Sequence, residues 1–191
     1  MKSKNLPISF KLLKSTVNLR LHSENKKLLT RFIYRYRLAK SFTEIDADGI
    51  GRTLKGYNAI LKVFLTYTAY EQLLKASNGL RVYGLDGIGK NRIVDIELAE
   101  RLRKNKQLIN FLIEYSTDSV LIGQLAAFRK NKNNDIVCVA YAIRNVFAHG
   151  ELTATPIGVA LKDERTTLLD LADFLLNYCD DTFTKCVEKL R

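Results

Sequence analysis

The sequence predicts an all-α protein, a bundle of about five or six helices with a basic N-terminal extension. Three observations lead there. Apolar residues recur at three- and four-residue steps over most of the chain beyond residue 26. The interruptions between these stretches are short and rich in Gly, Asn and Asp, the residues that punctuate helices. The 191 residues, 47% of them hydrophobic, suit one good core or a core with a basic appendage.

Residues 1 to 25 admit two readings, a short helix or an extended arm carrying Leu12, Leu13, Val17, Leu19 and Leu21. Residues 26 to 45 read as a helix, with Leu28, Leu29, Phe32, Ile33, Tyr36 and Phe42 at helical steps. On another side Lys27, Arg31 and Arg35 form an i,i+4 row, and Tyr34 and Tyr36 interleave with Arg35 and Arg37. Such a mixture stacks on bases while gripping phosphate. It equally describes an amphipathic helix whose long basic side chains lie along it.

Asp46 to Gly51 is a turn. It begins like a calcium loop, with Gly51 at the sixth position, but Tyr57 occupies the twelfth, where a bidentate Glu is required. Residues 53 to 77 form a long helix whose expected inward face is Tyr57, Ile60, Leu61, Phe64 and Leu65. Glu71 falls on that same face, either in water near the helix end or directed into a polar site, since burying it alone is costly.

Residues 78 to 94 form a connecting loop. Within it Gly84 to Lys90 meets the Gly-x4-Gly-Lys spacing of a phosphate loop, but Asn91 stands where a magnesium-binding Ser or Thr belongs. No alternating strand and helix units surround it, so nucleotide binding is not expected. Residues 95 to 115 read as one helix and residues 118 to 129 as another. Asp135 is placed to cap the next helix, Ile136 to about Ala148, which is apolar on most sides and therefore central. Gly150 is placed to end it. Glu151 to Leu161 is a loop with a short extended piece at its end, and residues 164 to 190 form the last long helix. No clean linker divides the chain; residues 1–50 read as a basic extension or helical layer and residues 51–191 as the bundle.

Charge is unevenly placed. The net charge is +11, and residues 1 to 40 hold 11 Lys and Arg against the single acid Glu24. The remaining residues are close to neutral. A front end of this kind attracts polyanions, with RNA, DNA and an anionic membrane not separated by charge alone, or serves as a solvated, solubilising face. No stretch approaches the roughly 20 apolar residues of a membrane span, and Pro7, Lys11 and Lys14 interrupt any signal-peptide core. A cytoplasmic protein without membrane contact is the default. Cys138, Cys179 and Cys186 make neither a disulfide framework nor a metal site and read as buried thiols; no metal and no cofactor is expected.

The chain has two histidines, His22 and His149. His149 closes an apolar helix, where a lone histidine often serves as a structural cap. Its company points to chemistry. Asn145 and His149 are i,i+4 on one face, and Arg144 lies about 100° round with a side chain long enough to join them. Imidazole moves protons near neutrality. Guanidinium holds phosphate in two-pronged fashion, and Asn orients either partner. Together they suit cleavage of RNA by its own 2′-hydroxyl, with Arg144 stabilising the phosphorane-like charge and a 2′,3′-cyclic phosphate as product. One imidazole does not readily serve as base and acid on opposite sides of phosphorus. A symmetric homodimer would supply the second.

The segment Ile143-Arg144-Asn145-Val146-Phe147-Ala148-His149-Gly150 resembles the Arg-x4–6-His motif of the HEPN superfamily. The resemblance implies a helical bundle that dimerises to bring two motifs into one cleft, and a metal-independent ribonuclease of toxin–antitoxin, abortive-infection or CRISPR defence, with an antitoxin or other defence-system protein as partner. It assigns catalysis to Arg144 and His149 and a supporting role to Asn145. An acidic residue from an earlier helix often joins such sites, and Glu71 is the candidate. The resemblance covers residues 53 to 190 and leaves the basic first 40 unexplained; Lys27, Arg31, Arg35 and Arg37 are the candidates there for RNA contact. The alternative is a non-catalytic RNA-binding or protein-interaction module of the same fold.

Overall fold

A computed structural model describes residues 7, 10, 23–48, 53–79, 93–154, 159 and 161–189. The arm at residues 1–22 apart from Pro7 and Phe10, with His22, the Gly49 to Gly51 half of the calcium-like turn, the phosphate-loop-like run at 84–91 and most of the extended piece at 157–161 lie outside the described residues. Within them the protein is all-α. Among the described residues seven helices follow one another: α1 (Ser23–Ser41), α2 (Thr53–Gly79), α3 (Ile96–Lys104), α4 (Lys106–Tyr115), α5 (Ser119–Arg129), α6 (Val137–Ala148) and α7 (Lys162–Lys189). The described residues contain no sheet, only an isolated antiparallel bridge between Val94 and Asp135.

The stretch expected as a single helix over 95–115 is two. Asn105 is the reason. Its own N–H turns back to the Leu102 carbonyl, 3.2 Å away, ending α3, while its side-chain oxygen accepts from the Leu108 N–H at 3.0 Å, starting α4. A short polar side chain that satisfies a free helical N–H favours a cap over continuation. Asp95 and Asp118 do the same for α3 and α5. The last turn of α3 carries Arg101, Arg103 and Lys104 against the negative end of its dipole.

Two compact units emerge, each drawn from separated stretches of the chain. One comprises Met1–Phe42, Leu65–Asn91 and Asp173–Arg191, the other Thr43–Phe64 and Arg92–Ala172. Helices α2 and α7 each contribute residues to both. In the first unit α1 buries Leu29, Phe32, Ile33, Tyr36 and Ala39. Phe32 packs on Phe183 of α7, with ring centroids 5.2 Å apart, and Tyr70 of α2 meets Tyr178 at 6.0 Å. Burial, with the Asp180 carboxylate beside it, pushes the Tyr36 phenol well above the ordinary tyrosine range. The second unit buries Leu102, Leu108, Ile109 and Leu112 of α3 and α4 with Leu125 and Phe128 of α5 and most of α6.

The inward face expected for α2 is corrected by burial. Ile60 is buried, but Tyr57, Leu61, Phe64 and Leu65 are half-buried, and the fully buried residues run through Ala59, Val63, Thr66, Ala69, Tyr70 and Leu73. A helix flanked by protein on several sides buries small and polar residues as well as large apolar ones, so its apolar stripe does not identify its most buried line. The three cysteines are free and buried, as expected.

Candidate functional site

Helix α6 is built to present its last turn. The N-cap position falls on Ile136, which has no side-chain cap, rather than on the expected Asp135, whose carboxylate accepts from the Val137 N–H at 3.1 Å from one residue further back. Cys138, Val139, Ala140, Ala142, Ile143 and Val146 are buried along it. At 100° per residue the remaining outward strip runs through Tyr141, Arg144, Asn145 and Ala148 to His149. The helix closes in a Schellman turn. The Gly150 N–H donates to the Phe147 carbonyl at 3.0 Å and the Glu151 N–H to that of Val146 at 3.2 Å. Gly150 has φ +79°, where a side chain is strained.

The chain leaving this turn is pinned. Leu152 and Ala154 are buried, and Gly56 of α2 lies so near that a Cβ on it would stand 2.7 Å from Ala154 Cβ and 3.2 Å from the Val159 carbonyl oxygen. Phe147, inside the motif, packs edge-on against Phe64 of α2 at 5.5 Å. The motif turn is therefore held from both sides by the second unit's own core.

On it the structure brings together three of the expected residues. The Arg144 guanidinium donates through Nη1 to the Asn145 amide oxygen at 2.8 Å. Both residues are half-buried, whereas His149, the C-cap, is exposed. The His149 backbone N–H donates to the Asn145 carbonyl at 3.1 Å. Asn145 thus touches both neighbours, one through its side chain and one through its backbone. The result is an accessible imidazole on the same turn as a guanidinium whose direction is set, at a helix end whose partial negative charge favours cations.

Glu71 belongs to the first unit. Its carboxylate is half-buried and pairs with Lys75 at 3.2 Å, an i,i+4 contact along α2. Of the basic row on α1, Lys27, Arg31 and Arg35 are exposed and Arg37 is half-buried. The Arg35 guanidinium donates to the Thr68 carbonyl at 3.4 Å. The two interleaved tyrosines part company: Tyr34 is 67% exposed, Tyr36 1%. Tyr36 is core, and Tyr34 alone of the two faces outward.

Sequence reasoning missed a half-open cleft of about 630 Å³ in the second unit, lined by Arg101, Lys104, Leu108, Leu161, Lys162 and Thr167 among others. Arg101 at its edge pairs with Asp170 at 2.6 Å. Those partners are 69 positions apart and no local pattern links them. None of the expected site residues lines this cleft.

Among the described residues no three His, Cys, Asp or Glu side chains are grouped to hold a metal ion. Burial pushes the Cys138 thiol up to about 12, helped by the nearby Asp135 carboxylate, and raises that of Cys179 likewise; neither supplies a thiolate nucleophile near neutrality. No described helix is long and apolar enough to cross a membrane. No family model, curated protein or solved structure matches the chain.

Proposed function

We propose that the protein is a metal-independent endoribonuclease of the HEPN type, a homodimeric toxin or defence-related enzyme, with Arg144 and His149 as its catalytic residues and Asn145 as a positioning residue. The observation that carries the reading is the 2.8 Å bond from Arg144 to Asn145 on the turn that ends in the exposed His149. A hydrogen bond that aims a cation at a half-buried surface beside an accessible imidazole serves phosphoryl chemistry better than packing.

In the proposed reaction the 2′-hydroxyl loses its proton to His149 as its oxygen bonds to phosphorus. The bond from phosphorus to the 5′-oxygen breaks, and that oxygen takes a proton from the partner subunit's His149. The products are a 2′,3′-cyclic phosphate and a 5′-hydroxyl. Arg144 opposes the charge gathering on the non-bridging oxygens.

A mixed RNA panel incubated with the protein in EDTA tests this, alongside R144A and H149A and with product ends mapped. Cleavage to cyclic-phosphate ends that both substitutions abolish is the expected result. Equal cleavage by H149A would sink the mechanism, and a protein monomeric at working concentration would remove the second imidazole from it.

A further inference from the structure

We infer that the outward face of α1 is a binding site for unpaired RNA, with Tyr34 as a base-stacking platform and Arg31, Arg35 and Arg37 as its phosphate contacts. The choice of RNA over DNA rests on the ribonuclease reading; the preference for single strands rests on α1 itself.

The outward face has a definite order. The buried residues of α1 centre on Tyr36 and Leu29. At 100° per residue the opposite line runs through Lys27, Tyr34 and Leu38, all within about 40° of one another. Tyr34 is 67% exposed and Leu38 54%, so an aromatic ring and an aliphatic chain, one turn apart, occupy the middle of a solvent-facing surface. Cations ring them. Arg31 lies a turn before Tyr34 on one side and Arg37 a turn after it on the other, with Arg35 beside Arg31. The sole acid in α1 is Glu24, in the first turn, 3.9 Å from Lys27.

A merely solvated basic face has no use for Tyr and Leu at its centre. A nucleic-acid face does: every base offers a π-surface to a flat ring, while the arginines follow the backbone. The same arrangement selects against duplex RNA, whose bases are stacked on each other and whose readable surface is sugar and phosphate. It also fits a bilayer poorly. An interfacial helix buries its apolar face in lipid, and the apolar face of α1 is spent on the protein core through Phe32, Ile33 and Tyr36.

The test uses the full chain carrying H149A, so that cleavage does not consume the probe. Binding of a fluorescent 12-nucleotide uridine-rich RNA is compared with that of a blunt RNA duplex and of phosphatidylserine vesicles. The parent is expected to bind the single strand most tightly. Y34A weakens that binding about tenfold, the loss expected from one stacking contact, and leaves duplex binding unchanged, while Y34W retains it. R31Q combined with R35Q weakens both RNAs and flattens their salt dependence. Circular dichroism verifies that each variant keeps its helices. The inference is overturned if Y34A binds the single strand as tightly as the parent, if the duplex binds as well as the single strand, or if vesicles outcompete RNA. Tyr34-dependent binding by a wild-type protein that cuts no RNA would sink the nuclease reading alone; cleavage with no effect of Tyr34 would sink this one alone.

Discussion

The Arg144 guanidinium and the Asn145 amide, adjacent in the chain, share a 2.8 Å hydrogen bond on the last turn of α6. Adjacent residues on a helix point about 100° apart, so this contact bends the long arginine side chain back over its neighbour and toward the face that His149 shares. A neutral amide in this place directs the cation without neutralising it.

Replacing Asn145 separates direction from charge. On the proposed ribonuclease mechanism, N145A is expected to lower the rate of RNA cleavage by about 10- to 100-fold, the penalty for a misplaced catalytic group. Stability changes by only about 1 kcal/mol or less, because one partly exposed hydrogen bond is lost. Initial rates and urea midpoints on the same preparations check this. Unchanged cleavage by N145A would remove Asn145 from the site.

Two glycines shape the motif turn in different ways. Gly150 has open space around its Cα but φ +79°, so G150A is expected to cost about 1–2 kcal/mol through backbone conformation alone. G150N is expected to cost less, since Asn tolerates this region. Gly56 has an ordinary backbone but no room, and G56A is expected to cost about 1–3 kcal/mol through overpacking against Ala154. Urea denaturation orders the three variants. G56A as stable as wild type would show that the 152–159 segment yields easily.

Thr66 predicts a gain. Its hydroxyl is fully buried in α2 and has no hydrogen-bond partner among the described residues. T66V removes that group and keeps a β-branched side chain, so stability should rise by about 1 kcal/mol, the lower end of the penalty for an unsatisfied buried group. A fall in the thermal midpoint would mean that the hydroxyl is engaged in solution.

Alkaline pH should unfold the protein through Cys138. The thiol, with an ordinary value of 9.0, is pushed up to about 12 in the folded state by burial and by Asp135. Below pH 9 both states hold the proton and nothing changes. Between about 9 and 12 the unfolded chain releases it and the folded protein does not, so stability falls as pH rises, by at most about 1.4 kcal/mol per pH unit for one proton. Urea midpoints from pH 8 to 11 should decline for wild type and decline less steeply for C138A. Parallel slopes would exclude Cys138 as a source; the buried Cys179 thiol, also raised, acts in the same direction from the same pH, and the raised Tyr36 phenol does so at higher pH.

Much of the helical fold was legible in the sequence because its signals are local. Caps at Asp95 and Asp118 and the turn at Gly150 act within a few residues, and the spacing of Asn145 and His149 places them on one face whatever packs behind α6. The Arg144 contact to Asn145 is likewise a nearest-neighbour matter, although periodicity alone did not show it. The break at Asn105 escaped detection because Leu102 and Leu108 keep a helical spacing across it, and only the side-chain bond to Leu108 reveals the stop.

By itself the sequence determined that the chain is helical, that its positive charge gathers in the first 40 residues, and that Arg144, Asn145 and His149 occupy one helix end. Tertiary structure alone decided which sides of those helices meet protein. It buried Tyr36 and left Tyr34 in water, moved the buried line of α2 off Tyr57, Leu61, Phe64 and Leu65, paired Arg101 with Asp170, and pressed Gly56 against the segment that follows the motif. The physical reason is range. Backbone hydrogen bonds and caps act over four or five residues, whereas burial depends on neighbours contributed from distant parts of the chain, and no periodicity within one helix records which neighbours those are.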